Sequence, residues 1–319
     1  MTTNKTAALM AGALMTGSTG CGAAAPPIAD GPAHHATAAL AAPYDQTPTR
    51  YIDAKGARLA YRSLGPDTGG VPLVLLQHFT GTMDDWDPAL VDGLARGRKL
   101  YVLDNAGVGR SSGTTPDSVK AMARVAEDFI EALRLEKVDL LGFSLGGFIA
   151  QQILIERPQL VRRAVIAGTG PQGGGGIADL AAVLTDAMKK SGDQQLHPKV
   201  FLFFTETSQG RAAAAAFVDR IGKHTVDPDP AVSDATMMAQ MKAIVAWGSA
   251  PPNGAELAAI RQPVLIVNGS NDVMVPTINS FELFRRIPTA ELSLYPDSGH
   301  GALFQYHEQF VSQVETFLR

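Results

Sequence analysis

Cysteine occurs once in the 319 residues, at Cys21, so no internal disulfide can form and stability must come from a packed core. Aromatic residues are sparse, at 7%, and no cluster of lysine and arginine interrupts a chain of net charge −4. Nucleic acid and anionic lipid therefore have no electrostatic footing as main partners. No apolar run reaches the roughly 18–20 residues that a bilayer-spanning helix needs. Nothing repeats at a fixed period, and P-loop, C-x-x-C and H-E-x-x-H motifs are all missing, so neither a metal nor a nucleotide cofactor is indicated. What is present, 45% hydrophobic and 18% charged residues, suits one large α/β domain or two small ones.

The first part of the chain differs from the rest. Lys5 is the only charge before Asp30, and a short apolar core from Thr6 to Met15 precedes small residues and Ala23-Ala24-Ala25-Pro26-Pro27. This is the layout of a secretory signal, so residues 1–25 read as signal-like and 26–48 as an Ala/Pro-rich linker. Cys21, after Ser18-Thr19-Gly20, resembles a bacterial lipoprotein attachment site, although serine stands where leucine is usual. The expected location is outside the cytoplasm: periplasmic, secreted, or lipid-anchored at Cys21. A cytoplasmic location follows if the segment is not a signal.

Residues 49–319 read as the folded domain. Branched apolar runs at 58–64, 72–77, 99–104, 138–143, 163–167, 263–268 and 291–295 predict strands, with an edge strand near Tyr51-Ile52. Several are apolar throughout, as parallel strands covered on both faces should be. Between them, Val119, Met122, Val125, Phe129, Ile130 and Leu133 recur at helical spacing, as do Phe304, Phe310, Val311, Val314, Phe317 and Leu318. The alternation predicts a mostly parallel sheet flanked by helices. Residues 172–257 break it with alanine-rich helical pattern, fenced by Gly173–Gly176 and by Pro251-Pro252-Asn253-Gly254. Such fencing suggests a helical lid over the strand ends. The alternative is a helical excursion packed permanently on the core.

Gly142-Phe143-Ser144-Leu145-Gly146-Gly147 follows the run that begins at Val138 and opens a helical stretch. Glycines two residues either side of the serine permit a turn in which side chains would collide. This is a nucleophile elbow, holding Ser144 strained with its hydroxyl exposed at the strand's end. Asp104 to Ser112 contains Gly107-x-Gly109, but position 112 is serine, so turn architecture accounts for it better than a dinucleotide site.

Two further motifs follow later strands: Gly269-Ser270-Asn271-Asp272-Val273-Met274-Val275-Pro276 and Asp297-Ser298-Gly299-His300-Gly301. With the elbow, this ordered set resembles the α/β-hydrolase family from Tyr51 to Arg319. The resemblance implies an eight-stranded, mostly parallel sheet with a helical lid inserted after the sixth strand. It also implies a triad of Ser144 as nucleophile, His300 as base and Asp272 as its orienting acid. Asp179 is the rival acid, since some relatives carry that residue after an earlier strand. Asp297 is expected to shape its turn. His34 and His35 fall in the linker, His197 and His224 in the lid, and His307 in the last helix. Backbone N–H groups of Leu145 and Phe79 would form the oxyanion hole, Phe79 lying in the loop Gln77-His78-Phe79-Thr80-Gly81-Thr82. Relatives commonly carry His-Gly where this chain has Gln77-His78, so His78 belongs either to loop architecture or to a substrate contact. His78, Thr80, Trp247 and Met274 are the pocket candidates.

The expected activity is hydrolysis of carboxylic esters or lactones of small apolar molecules through an acyl-enzyme. Perhydrolysis, as in cofactor-free haloperoxidases, or C–C bond hydrolysis could run on the same triad. A different class would be a small-ligand binder that keeps the fold and turns over slowly or not at all.

Overall fold

The computed structural model describes residues 42–319. The signal-like segment, Cys21 and most of the linker lie outside the described residues. Eight strands run in chain order: β1 Arg50–Ala54, β2 Ala57–Leu64, β3 Leu73–Leu76, β4 Leu100–Leu103, β5 Val138–Phe143, β6 Val161–Ala167, β7 Val264–Gly269 and β8 Ala290–Tyr295. They form one sheet in the order β1-β2-β4-β3-β5-β6-β7-β8. The pairs β1/β2 and β2/β4 are antiparallel, and every later pair is parallel. All six residues of β5 are buried. Because successive side chains point to opposite faces, a strand buried along its whole length must be covered on both sides.

The helices that cover it are α1 (Pro88–Ala95), α2 (Val119–Ala132), α3 (Leu145–Glu156), α9 (Ile278–Arg286), α10 (Ala302–Gln305) and α11 (His307–Phe317). Their ends are set by local chemistry. Asp87 caps α1 through the Ala89 N–H, with Pro88 preset in the first turn. Ser118 caps α2 through the Ala121 N–H. α1 packs against α11, and α2 against α3. The single C-terminal helical stripe anticipated from the sequence is two helices with a break at Tyr306, and His307 opens the second.

Between β6 and β7 the α-helices are α4 (Leu180–Gln194), α5 (Lys199–Phe203), α6 (Ser208–Ile221), α7 (Asp234–Ser249) and α8 (Gly254–Ala258), joined by loops, with no strand among the described residues. This cap is tied to the sheet domain at several points. Arg220 of α6 donates to both carboxylate oxygens of Asp87, at 2.8 Å to Oδ1 and 2.5 Å to Oδ2. Thr236 of α7 donates to the Gly107 carbonyl at 2.8 Å. Thr205 and Thr207 donate to the two oxygens of Asp297 at 2.9 and 2.8 Å. Even the glycine run is held, for the Gly173 N–H donates to the Trp247 carbonyl and Asn279 Nδ2 to the Gly175 carbonyl, both at 2.9 Å. Asp297 therefore does more than shape its own turn: it fastens the cap to it.

The linker boundary at residue 48 needs correction. Tyr44–Gln46 forms a 3-10 turn, and Tyr44 is fully buried, its hydroxyl donating to the Met83 carbonyl at 2.6 Å. The phenol also lies beside Arg62, a fully buried arginine whose Nη1 is 2.7 Å from Asp84. A buried guanidinium requires a paired charge and filled surroundings, and Tyr44 supplies part of the filling. The Ala/Pro composition around it hides one aromatic anchor. Tyr44→Ala is expected to lower the unfolding free energy by about 3–5 kcal/mol, as for other buried aromatics. Urea denaturation measures this; a solvated linker position would change stability by no more than about 0.5 kcal/mol.

Candidate active site

Each feature of the site sits where a strand ends at its carboxyl edge, the crevice side of an open α/β sheet. After β5, Ser144 adopts φ 56° and ψ −116°, a strained region for a residue with a side chain. The neighbouring glycines are obligatory. A Cβ on Gly142 would stand 2.3 Å from the Gly146 carbonyl oxygen, and one on Gly146 would stand 2.0 Å from that of Leu76. The strain is held by the backbone. The Ser144 N–H donates to the Ala167 carbonyl at 2.9 Å, while its own carbonyl accepts from the Gly147 N–H at 2.8 Å and from Thr169 Oγ1 at 3.1 Å. A serine ahead of a helix usually spends its hydroxyl on capping. Ser144 makes no such bond, so its Oγ is not engaged by the helix.

The loops after β7 and β8 meet beside it. The Ser270 N–H donates to the Tyr295 carbonyl and the Asn271 N–H to that of Ser298, both at 2.9 Å. This pairing brings Asp272 and His300 together: His300 Nδ1 lies 2.8 Å from Asp272 Oδ2. The other carboxylate oxygen accepts from the Met274 N–H at 2.8 Å and the Val275 N–H at 2.9 Å. Both side chains are buried. A carboxylate at Nδ1 keeps the proton there, leaving the Nε2 lone pair available as a base. Nε2 is buried and has no hydrogen-bond partner among the described residues.

The imidazole is set by packing as well. Its centroid is 4.9 Å from the ring of Phe143, the residue before Ser144, and 5.6 Å from Phe203 of the cap. Gly168, directly after the residue that accepts from the Ser144 N–H, abuts the same ring. No hydrogen bond joins Ser144 Oγ to His300 Nε2 in this structure. Asp179 is exposed at the start of α4, and the carboxylate bonded to His300 is that of Asp272.

The loop after β3 is braced from within. Gln77 Nε2 donates to the Thr82 carbonyl at 2.7 Å, and its Oε1 accepts from the His78 N–H at 2.9 Å. His78 Nδ1 donates to the Phe79 carbonyl at 2.7 Å, which also accepts from Thr80 Oγ1 at 2.7 Å. Thr80 has φ 57° and donates its N–H to Gln240 of the cap at 2.7 Å. The N–H groups of Phe79 and Leu145 bond to no other described residue.

Of the four pocket candidates, only Met274 lines the cavity at Ser144, together with Phe148, Leu180, Ile244 and Val275. That cavity is about 10 Å³, roughly the room of one water. Ser144 is buried, where the elbow alone suggested an exposed hydroxyl, and Leu180 and Ile244 of the cap line the small cavity beside it. Trp247 stands behind Phe148, stacked at 5.3 Å, with Nε1 donating to the Gly170 carbonyl at 3.3 Å. His78 and Leu145 share a neighbouring space of about 20 Å³ with Gln77 and Gln240. Sequence reasoning did not place Gln240 beside the site, since its partner Thr80 lies 160 residues away.

His78 is fully enclosed, edge-on to Phe143 at 5.4 Å and to Phe203 at 5.2 Å. Burial, aided by the Lys199 ammonium, pushes its pKa down to about 3. Folding therefore favours the neutral ring, and the stability it contributes is full above the ordinary histidine range. That contribution is lost as pH falls from about 6.5 towards 3, because only the unfolded chain gains the proton there. A His78→Gln variant should accordingly show a shallower loss of unfolding free energy between pH 7 and pH 4 than the natural chain, measured by urea titration at each pH.

Comparisons with known proteins agree with the fold. The family model for the alpha/beta hydrolase fold matches residues 71–199, and the one for TAP-like protein matches 229–319. An alpha/beta hydrolase fold protein from Chitinophaga pinensis is 45% identical, with a TM-score of 0.82 over 87% of this chain and 99% of its own. A pimeloyl-(acyl-carrier protein) methyl ester esterase of Nitrosomonas europaea is 27% identical over 255 residues, 78% of this chain and 94% of its own. A 2-hydroxy-6-oxo-6-phenylhexa-2,4-dienoate hydrolase of Burkholderia cepacia is 25% identical over 238 residues, 70% of this chain and 78% of its own. Sheet order, elbow and sequence similarity converge, and the chain belongs to the α/β-hydrolase fold family.

Proposed function

We propose that this hydrolase is a serine esterase or lactonase acting on small apolar acyl substrates. Ser144 Oγ attacks the acyl carbonyl while His300 Nε2 takes its proton, and the imidazolium is steadied by Asp272. The proton then passes to the leaving oxygen, an acyl-Ser144 ester remains, and water deprotonated by His300 releases the acid. The negative oxygen of each tetrahedral intermediate would be met by the Phe79 and Leu145 N–H groups, close to the positive end of α3.

The observation that carries this reading is the 2.8 Å contact between Asp272 and His300 Nδ1, which leaves Nε2 buried and unpartnered next to the elbow. His78 Nε2 is also buried without a partner, so what sets His300 apart is the carboxylate at its Nδ1 and its contact with Phe143 of the elbow. An N-cap serine with no capping bond, in a strained conformation, points the same way. The substrate class rests on the apolar lining at Ser144, and an acyl group can enter only when the side chains of Leu180 and Ile244 are displaced.

Ser144→Ala should remove p-nitrophenyl acetate turnover by about 10⁴-fold or more while leaving the thermal melt in place. The natural chain should take up a fluorophosphonate probe at Ser144. Wild-type turnover in Ser144→Ala would assign the nucleophile elsewhere. For the acid, Asp272→Asn is expected to lower kcat by about 10⁴-fold, because the amide cannot hold the required tautomer. Asp179→Asn should stay within about twofold of the natural chain, and steady-state assays in which the two results changed places would move the acid to the start of α4.

A further inference from the structure

Thr80 is the least comfortable residue of the loop after β3. Its φ of 57° lies in the left-handed region, which β-branched side chains avoid. Such a conformation persists only where its surroundings over-determine it. Within the loop, the Phe79–Thr80 peptide is fixed on its carbonyl side by His78 Nδ1 and by Thr80 Oγ1, both at 2.7 Å. Its N–H side has no partner in the loop. That partner is Gln240 Oε1 at 2.7 Å, from α7 of the cap, 160 residues along the chain.

The geometry points to a role for Gln240 beyond packing: we propose that it is a positioning residue that sets the oxyanion donor from the cap. Adjacent peptide planes are linked through the dihedrals of one residue, here Phe79. The Gly81 N–H holds the His78 carbonyl at 3.1 Å, so the N–H on the other side of that peptide, from Phe79, is left free to donate. Its direction holds only while the next peptide cannot flip. Gln240 blocks the flip by accepting the Thr80 N–H, and it is itself buried, at 4% exposed. α7 is in turn seated on the sheet domain through Thr236, which donates to the Gly107 carbonyl at 2.8 Å and lies 2.9 Å from the Thr115 hydroxyl. A cap that shifts would release Thr80, and the donor would lose its aim. The oxyanion hole is then competent only with the cap seated, which confines acyl transfer to the closed, dry site.

This inference rests on the acyl-transfer reading of Ser144, and the test separates the two. On the full chain, kcat and KM for p-nitrophenyl acetate are measured alongside the rate of fluorophosphonate labelling. Gln240→Met keeps length and helix propensity but loses the amide acceptor; kcat should fall by about 10–100-fold, with KM within about threefold. Gln240→Glu retains an acceptor oxygen at the same reach and should recover most of the loss. Thr80→Gly adopts φ 57° without penalty, so in that background Gln240→Met should cost clearly less, a non-additive pair. If Gln240→Met does not fold, as judged by circular dichroism, Gln240→Asn withdraws the acceptor by one methylene and should reproduce the kcat loss.

A loss confined to KM would mean that Gln240 touches substrate directly, and the proposal would fall. It would fall equally if kcat stayed within twofold, if Gln240→Glu were no better than Gln240→Met, or if the effects simply added. A natural chain that neither turns over esters nor labels at Ser144 defeats the acyl-transfer reading itself, and this proposal with it. A labelled natural chain with an indifferent Gln240 defeats only the proposal.

Discussion

Everything at the carboxyl edge of the sheet depends on how closely α3 approaches the ends of β3 and β5. The chain turns from strand to helix at Ser144, and only hydrogen atoms fit at Gly142 and Gly146 between that turn and the Gly146 and Leu76 carbonyls. Four hydrogen bonds to the Ser144 backbone hold the turn: its N–H donates to the Ala167 carbonyl, and its carbonyl accepts from the Gly147 and Phe148 N–H groups and from Thr169 Oγ1. The strained backbone is stabilised by the sheet and the helix it joins, so the side chain is left out of the structural bonding. A group that contributes little to holding the fold is available for chemistry.

A second consequence is the crowding of aromatic rings around one imidazole. Phe143 touches His300, His78 and Phe203, and Phe203 reaches Phe304 and Phe217. Edge-on and stacked contacts of this kind fix ring orientation as well as excluding water. The Asp272–His300 bond lies in that low-polarity setting, where a charge-assisted hydrogen bond is stronger than in water. His78, in the same cluster, is kept neutral by its burial and donates to a backbone carbonyl. Two histidines thus share one aromatic wall with different partners, a carboxylate for one and a carbonyl for the other.

The cap is part of this arrangement. Its α5 places Phe203 on His300, and the Phe203 carbonyl accepts from the Gly301 N–H at 2.8 Å. Its α7 supplies Gln240 to the loop after β3, and Ile244 to the wall over Ser144. The glycine run that fences this segment is hydrogen-bonded to Trp247 and Asn279. A Cβ would meet close neighbours at Gly173, Gly174 and Gly176 but open space at Gly175. Flexibility and tight contact both select glycine, for opposite reasons.

The strands were readable in the sequence because a parallel sheet buries both faces, and runs such as Leu73–Leu76 or Val264–Val267 admit few other readings. The elbow was readable because backbone collision permits only glycine at two fixed offsets from the serine. The pairing of Asp272 with His300 followed once the resemblance ordered the loops. What sequence did not disclose were contacts made across long separations by residues of ordinary type. Tyr44 hid in an Ala/Pro-rich stretch, Trp247 turned to Phe148 and away from the Ser144 cavity, and Gln240 met Thr80 from another layer. Periodicity and local sterics act within a few residues and so are written in the chain itself. Which side chains close over Ser144, and how little space they leave, depends on the packing of helices whose facing residues only the folded chain brings together.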